Sequence, residues 1–187
     1  MIVKINQSIL VSRGVTLIEL LVVMSVLAIL LGVGVPSFSQ FATNNRLNNY
    51  VNSLFSNFAL ARSEAIKRSN RVVVCKSSDG SACVGGGDWS QGWLIFVDLD
   101  NDGSRNGGDE IIHVAPALSA GYSFSGNGNV SNYVSYDSQG MTRLAGGASQ
   151  AGTFTICPPA PAIGGNGRQM ILSGSGRARI VKITSCS

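Results

Sequence analysis

The sequence predicts an α+β fold: a long N-terminal helix, apolar all round in its first half and amphipathic in its second, packed on antiparallel β-sheet. Three observations carry this. A run of 21 residues, Val15–Val35, holds one charge, Glu19. Beyond Pro36, apolar residues recur at helical spacing. After Asn70 the period falls to two, and short β-rich runs alternate with clusters of Gly, Ser, Asn and Asp. The chain has 187 residues, enough for one ordinary domain with a real core. Its 44% hydrophobic and 13% charged residues exclude an intrinsically disordered chain.

Residues 1–14 form a short polar stretch with Lys4 and Arg13. As a helix, the apolar run that follows spans about 31 Å, the thickness of a bilayer's hydrocarbon core. It is too long for the core of a secretory signal and lacks that signal's small-residue cleavage site. It reads as a single-span anchor with its basic end in the cytoplasm. Glu19 stands out, because an ionisable group inside a membrane helix costs about 2–3 kcal/mol unless paired. It is either a functional carboxylate or one that reaches the headgroups. Pro36 lacks an amide donor and predicts a kink or local opening.

The second half of the helix carries a stripe of Leu47, Tyr50, Val51, Leu54, Phe58, Ala61 and Ala65, while Asn48, Asn49, Ser53, Arg62 and Ser63 occupy other faces. Strands are expected at Arg71–Cys75, Trp93–Val97, Ile111–Ala115, Tyr122–Ser125, Val130–Tyr136, Thr153–Cys157, Gln169–Leu172 and Arg179–Ile183. Glycine, 23 residues against a usual share of roughly 7%, falls largely in the turns between them. No fixed-period repeat is present, which argues against a solenoid.

Four cysteines, Cys75, Cys83, Cys157 and Cys186, all follow the apolar run. None forms a CxxC pair and one histidine cannot complete a zinc set, so two disulfides in an oxidising compartment are expected. Of the three connectivities, proximity favours Cys75–Cys83, with Cys157–Cys186 tying the last strand to a neighbour.

Asp98, Asp100, Asp102 and Gly103, followed by Asp109, nearly match the calcium-loop pattern D-x-[DN]-x-[DN]-G-x5-E, with Asp in the final place. The same residues also suit a plain hairpin turn. No cofactor is expected, and calcium at this loop is the one candidate. Lone His113, in a predicted strand, reads as structural. No nucleophile elbow, zinc-protease or P-loop motif is present, so no enzyme is expected.

Charge is segregated. Asp79 to Glu110 carries seven acids and one Arg, whereas from Asp137 onward one acid faces Arg143, Arg168, Arg177, Arg179 and Lys182. On a strand Arg177 and Arg179 would share one face and Lys182 the other. This basic end is either the solvated side of a sheet, pairing with acidic neighbours in an assembly, or a weak, sequence-independent contact for DNA phosphates.

Arg13-Gly14-Val15-Thr16-Leu17-Ile18-Glu19-Leu20 ahead of the apolar run resembles the processing site of the type IV pilin superfamily, although family members most often carry Phe where this chain has Val15. Leu60–Arg68 running into Val72–Cys75, and Trp89–Asp98, resemble GspH/FimT-type minor pilins. The resemblance implies a pilin fold, with a leader at 1–14, a membrane and filament-core helix at 15–35 and a periplasmic head at 36–187. It implies a prepilin peptidase that cuts between Gly14 and Val15, followed by N-methylation of Val15. Glu19 would then pair with the terminal amine of a neighbouring subunit, a cationic partner that makes a buried carboxylate tolerable. The subunit would wait in the inner membrane and then join other pilin subunits in a type IV pilus or a type II secretion pseudopilus, near its tip. Gly176-Arg177-Ala178-Arg179 also resembles the DNA-contacting element of FimT-type pilins in natural transformation.

Overall fold

A computed structural model describes residues 14–159 and 166–186, apart from the side chains of Pro36, Ser37 and Ser39. The expected leader, 1–14, lies outside them except for Gly14. Helix α1, Leu17–Arg68, continues through Pro36 without interruption. Proline therefore removes one hydrogen-bond donor but does not end the helix here. The chain divides into two compact units, residues 1–39 and 40–187.

In the first unit every residue from Gly14 to Val35 is exposed. In the second, Leu47, Val51, Leu54, Phe58, Ala61 and Ala65 are buried, a stripe at alternating spacings of four and three, and Tyr50 packs against them. The helix stops at Ser69, which takes a left-handed φ of 54° while its N–H bonds the Ile66 carbonyl. Arg68, in the last turn, donates to Glu64 at 2.6 Å and forks onto Glu110 at 2.7 and 3.2 Å. Those bonds pin the helix end to the residue preceding the third strand, and Arg68 holds both carboxyls below their usual range.

Among the described residues eight strands follow: β1 Arg71–Lys76, β2 Trp93–Asp98, β3 Ile111–Ala115, β4 Ser123–Gly126, β5 Tyr133–Tyr136, β6 Gly152–Cys157, β7 Gly167–Leu172 and β8 Ala178–Ile183. They form two antiparallel four-stranded sheets, in the orders β3-β2-β1-β5 and β4-β6-β7-β8. The expected run Val130–Tyr136 is divided. Gly128–Val130 makes a turn of 3-10 helix that buries Val130, and the strand begins at Tyr133.

The first sheet is covered on both sides, which is why β1 and β2 read as unbroken apolar runs. Val72, Val74, Trp93 and Ile95 face the core beneath the helix; Val73, Cys75, Leu94 and Phe96 form a second cluster capped by Cys83 and Tyr133. The second sheet turns Phe124, Phe154, Ile156, Met170 and Leu172 inward. Its other face shows Ser125, Thr153, Thr155 and Gln169 around a shallow hollow. Edge-to-face rings knit the core: Phe58 and Trp89 each lie 5.2 Å from Phe154, and Trp93 lies 5.9 Å from Phe124. Fully buried Gln150 accepts from the Ser135 N–H and donates to the Asn129 and Tyr133 carbonyls, which closes the polar accounting at the β5 edge.

The disulfides are Cys75–Cys83 and Cys157–Cys186. The second passes over the first residue of β7. A Cβ on Gly167 would stand 2.6 Å from the Cys186 sulfur, so only glycine fits beneath it.

Candidate functional site

Gly14, Val15 and Thr16 are exposed and precede the helix. Thr16 caps it: its Oγ1 accepts the Glu19 N–H at 3.3 Å, and its carbonyl accepts the Leu20 N–H at 3.1 Å. Thr16-x-x-Glu19 is therefore a capping-box spacing, with the acid where the helix dipole favours it. This role was legible in the sequence as T-x-x-E but hidden behind the charge anomaly. The Glu19 carboxylate is exposed and makes no bond among the described residues. Beside it Leu17 is 76% exposed, Ile18 67% and Leu20 57%. No described residue buries this stretch, and the helix is long and apolar enough to cross a membrane.

At the basic end, strand β8 is an edge strand that begins at Ala178, so Arg177 lies in the turn before it. Arg177 thus lies outside the strand, as the expected run Arg179–Ile183 has it, and only Arg179 and Lys182 belong to β8. Gly176, at φ 75°, is buried against the Gly140 carbonyl and turns the chain just before the strand. Arg177 lines an apolar hollow with Phe55, Phe58, Ala59, Arg62 and Tyr136. Arg179 pairs in register with Ile171, on the face away from the core; Lys182 pairs with Arg168, on the core side, where Arg168 bonds Asn48 of the helix at 2.9 Å. Arg177, Arg179 and Lys182 are all exposed, and among the described residues none has an acidic partner.

The acidic residues close the β2–β3 connection. Asp98 ends β2 and is buried, as is Asp109, while Asp100 and Asp102 are exposed. Burial pushes the Asp98 carboxyl up; the Gly103 N–H and the charge of Arg71 oppose that. His113 is exposed on β3 and its side chain makes no hydrogen bond among the described residues, so it is not the held structural histidine expected.

Comparison with known proteins fits this geometry. A family described as "Type II transport protein GspH" matches residues 50–176, and the "Prokaryotic N-terminal methylation motif" matches residues 10–35. The pilin-like protein PilA1 of Thermus thermophilus is 34% identical over 101 residues, 53% of this chain and 56% of that protein. The chain thus spans about half the length of that curated relative. The crystal structure of the Pseudomonas aeruginosa type IV minor pilin FimU matches with a TM-score of 0.58 at 21% identity, over 79% of this chain and 99% of that one. A second crystal form of it matches with a TM-score of 0.53 at 19% identity, over 75% and 100%.

Proposed function

The chain belongs to the GspH family and is a minor pilin or pseudopilin, and from that premise we propose how it is processed and assembled. A prepilin peptidase cuts between Gly14 and Val15, Val15 is N-methylated, and the subunit waits in the inner membrane with its head in the periplasm. It then enters a type IV pilus or type II secretion pseudopilus near the tip. Residues 15–35 form the membrane and filament-core helix, and residues 36–187 the head. The observation that carries this reading is the bare apolar helix opening on a capped, solvent-facing Glu19. Packed among other helices, that carboxylate needs a cation, and the terminal amine of a neighbouring Val15 supplies one.

Mass spectrometry of the protein from its own host tests the first step. A chain beginning at methylated Val15 is expected; a chain that keeps Met1–Gly14 sinks the reading.

A second reading rests on β8. Arg177, Arg179 and Lys182 are exposed cations without acidic partners, suited to sequence-independent contact with DNA phosphates. Three phosphate contacts predict about a 40-fold loss of affinity between 50 and 200 mM salt, and each alanine substitution lowers the logarithmic salt slope by about 0.9. Band-shift titration checks this. Affinity that ignores Arg177→Ala, Arg179→Ala and Lys182→Ala, or ignores salt, removes DNA from consideration.

A further inference from the structure

We propose that the loop from Asp98 to Asp109 is a calcium site, with Asp98, Asp100 and Asp102 supplying the carboxylates. Each of the three brings an oxygen within 4.8 Å of the others. Clustered acids are common on turns, and the neighbouring loop shows what a turn carboxylate looks like. Asp79 is exposed and spends its oxygens on Ser81 and Ala82 N–H groups at 2.8 and 3.1 Å and on the Ser81 and Ser77 hydroxyls at 2.6 and 3.2 Å. Its bonds hold its carboxyl below the usual range.

Asp98 is the opposite case. It is 1% exposed. Its Oδ2 accepts the Gly103 N–H at 3.0 Å, while its Oδ1 is buried with no hydrogen-bond partner, the one side-chain acceptor among the described residues left so. Burying an ionised oxygen without a donor or a cation is costly, and a turn has no need of it.

Arg71 stands opposite Asp98 in the β1–β2 register and its charge favours the ionised carboxylate, but its guanidinium donates to the Ser135 hydroxyl and the Leu144 carbonyl at 3.2 and 3.3 Å. Among the described residues no ion pair includes Asp98, Asp100 or Asp102. The nearby Arg105 guanidinium instead donates to the Ser81 and Asp109 carbonyls at 3.3 and 3.4 Å. Asp100 and Asp102 are spanned only by a neutral amide, that of Asn106, at 2.6 and 3.3 Å. Asp109 braces the loop from below, accepting the Leu99 N–H at 3.2 Å and the Asn106 N–H at 2.8 Å.

The donor set and its irregular loop favour calcium. Ca2+ accepts oxygen ligands in flexible geometry, whereas Mg2+ demands a near-ideal octahedron and keeps most of its water. Main-chain carbonyls and water complete the six to eight oxygens Ca2+ takes. Three carboxylates on a surface loop, with a short Asp in the last place, place the dissociation constant at about 10⁻⁴–10⁻³ M, the range of extracellular modules.

The test is calorimetric titration of the chelator-treated full chain in detergent with CaCl2, alongside thermal unfolding followed by tryptophan fluorescence. One Ca2+ per chain and a raised midpoint are expected. Asp100→Asn and Asp102→Asn, both at exposed positions, should weaken Ca2+ at least tenfold and leave the midpoint in chelator unchanged. Three results overturn the proposal: no heat and no shift at 10 mM CaCl2, an equal response to MgCl2, or unaltered binding by the two asparagine variants.

Discussion

The two halves of helix α1 share one backbone geometry and answer to different solvents. From Val15 to Val35 the apolar residues ring the helix and are exposed, whereas from Gln40 to Arg68 they narrow to a stripe buried against the sheets. Propensity explains neither half. In the second, burial of Leu47, Leu54 and Phe58 stabilises the helix and anchors the head. In the first, no described residue covers the side chains, and under the proposed function a surrounding lipid or protein phase supplies the cover. The helix is thus one element with two separate sources of stability.

The largest expected effect breaks the second source alone. Phe58→Ala removes a ring packed against Phe154 and Tyr136 and should cost about 3–5 kcal/mol, while Leu27→Ala should leave head stability unchanged. Denaturant unfolding of the full chain in detergent reads this cleanly, because both tryptophans, Trp89 and Trp93, lie in the head core. A comparable loss from Leu27→Ala would mean that the halves are not independent.

The next effect grades the head itself. Loss of Cys157–Cys186, at a sequence separation of 29, should cost about 3.6 kcal/mol, against about 2.6 kcal/mol for Cys75–Cys83, at a separation of 8. Paired serine variants measured by the same unfolding experiment check the order, and helical circular dichroism from the first half should survive in both.

The smallest effect is acid sensitivity. Hydrogen bonds from Arg68 lower Glu64 and Glu110 from the ordinary 4.5. Their contribution is present above that value and lost as pH falls through the lowered ones. Asp98 runs the other way: burial raises it from 3.8, so its cost appears as pH rises through the raised value, unless a cation takes the carboxylate. Unfolding midpoints between pH 3 and 7, with and without Arg68→Ala, separate the two trends.

Much of this was legible in the sequence. The buried stripe follows from its 3.6-residue spacing, and the eight strands from β-branched or aromatic runs between turn residues, with the start of β5 misplaced at Val130. Their division into two sheets was not, because pairing partners are chosen by tertiary packing. Nor could the period show that Val130 belongs to a turn under Trp89, whose Nε1 donates to its carbonyl at 3.2 Å. Around the sites, pattern marked Glu19 and the acidic loop by residue type. It could not tell that one oxygen of Asp98 is sealed without a hydrogen-bond partner.

The clasp over Gly167 also has a mechanical meaning. An edge strand pulled from its free end unzips one hydrogen bond at a time, which takes little force. Here the tail beyond β8 is bonded covalently to the end of β6, so tension applied there bypasses β8 and β7 and enters the sheet at its second strand from the opposite edge. A subunit under load in a filament would lose its outermost strand only by breaking a sulfur–sulfur bond, and reducing agent should turn a sudden rupture into a gradual peel.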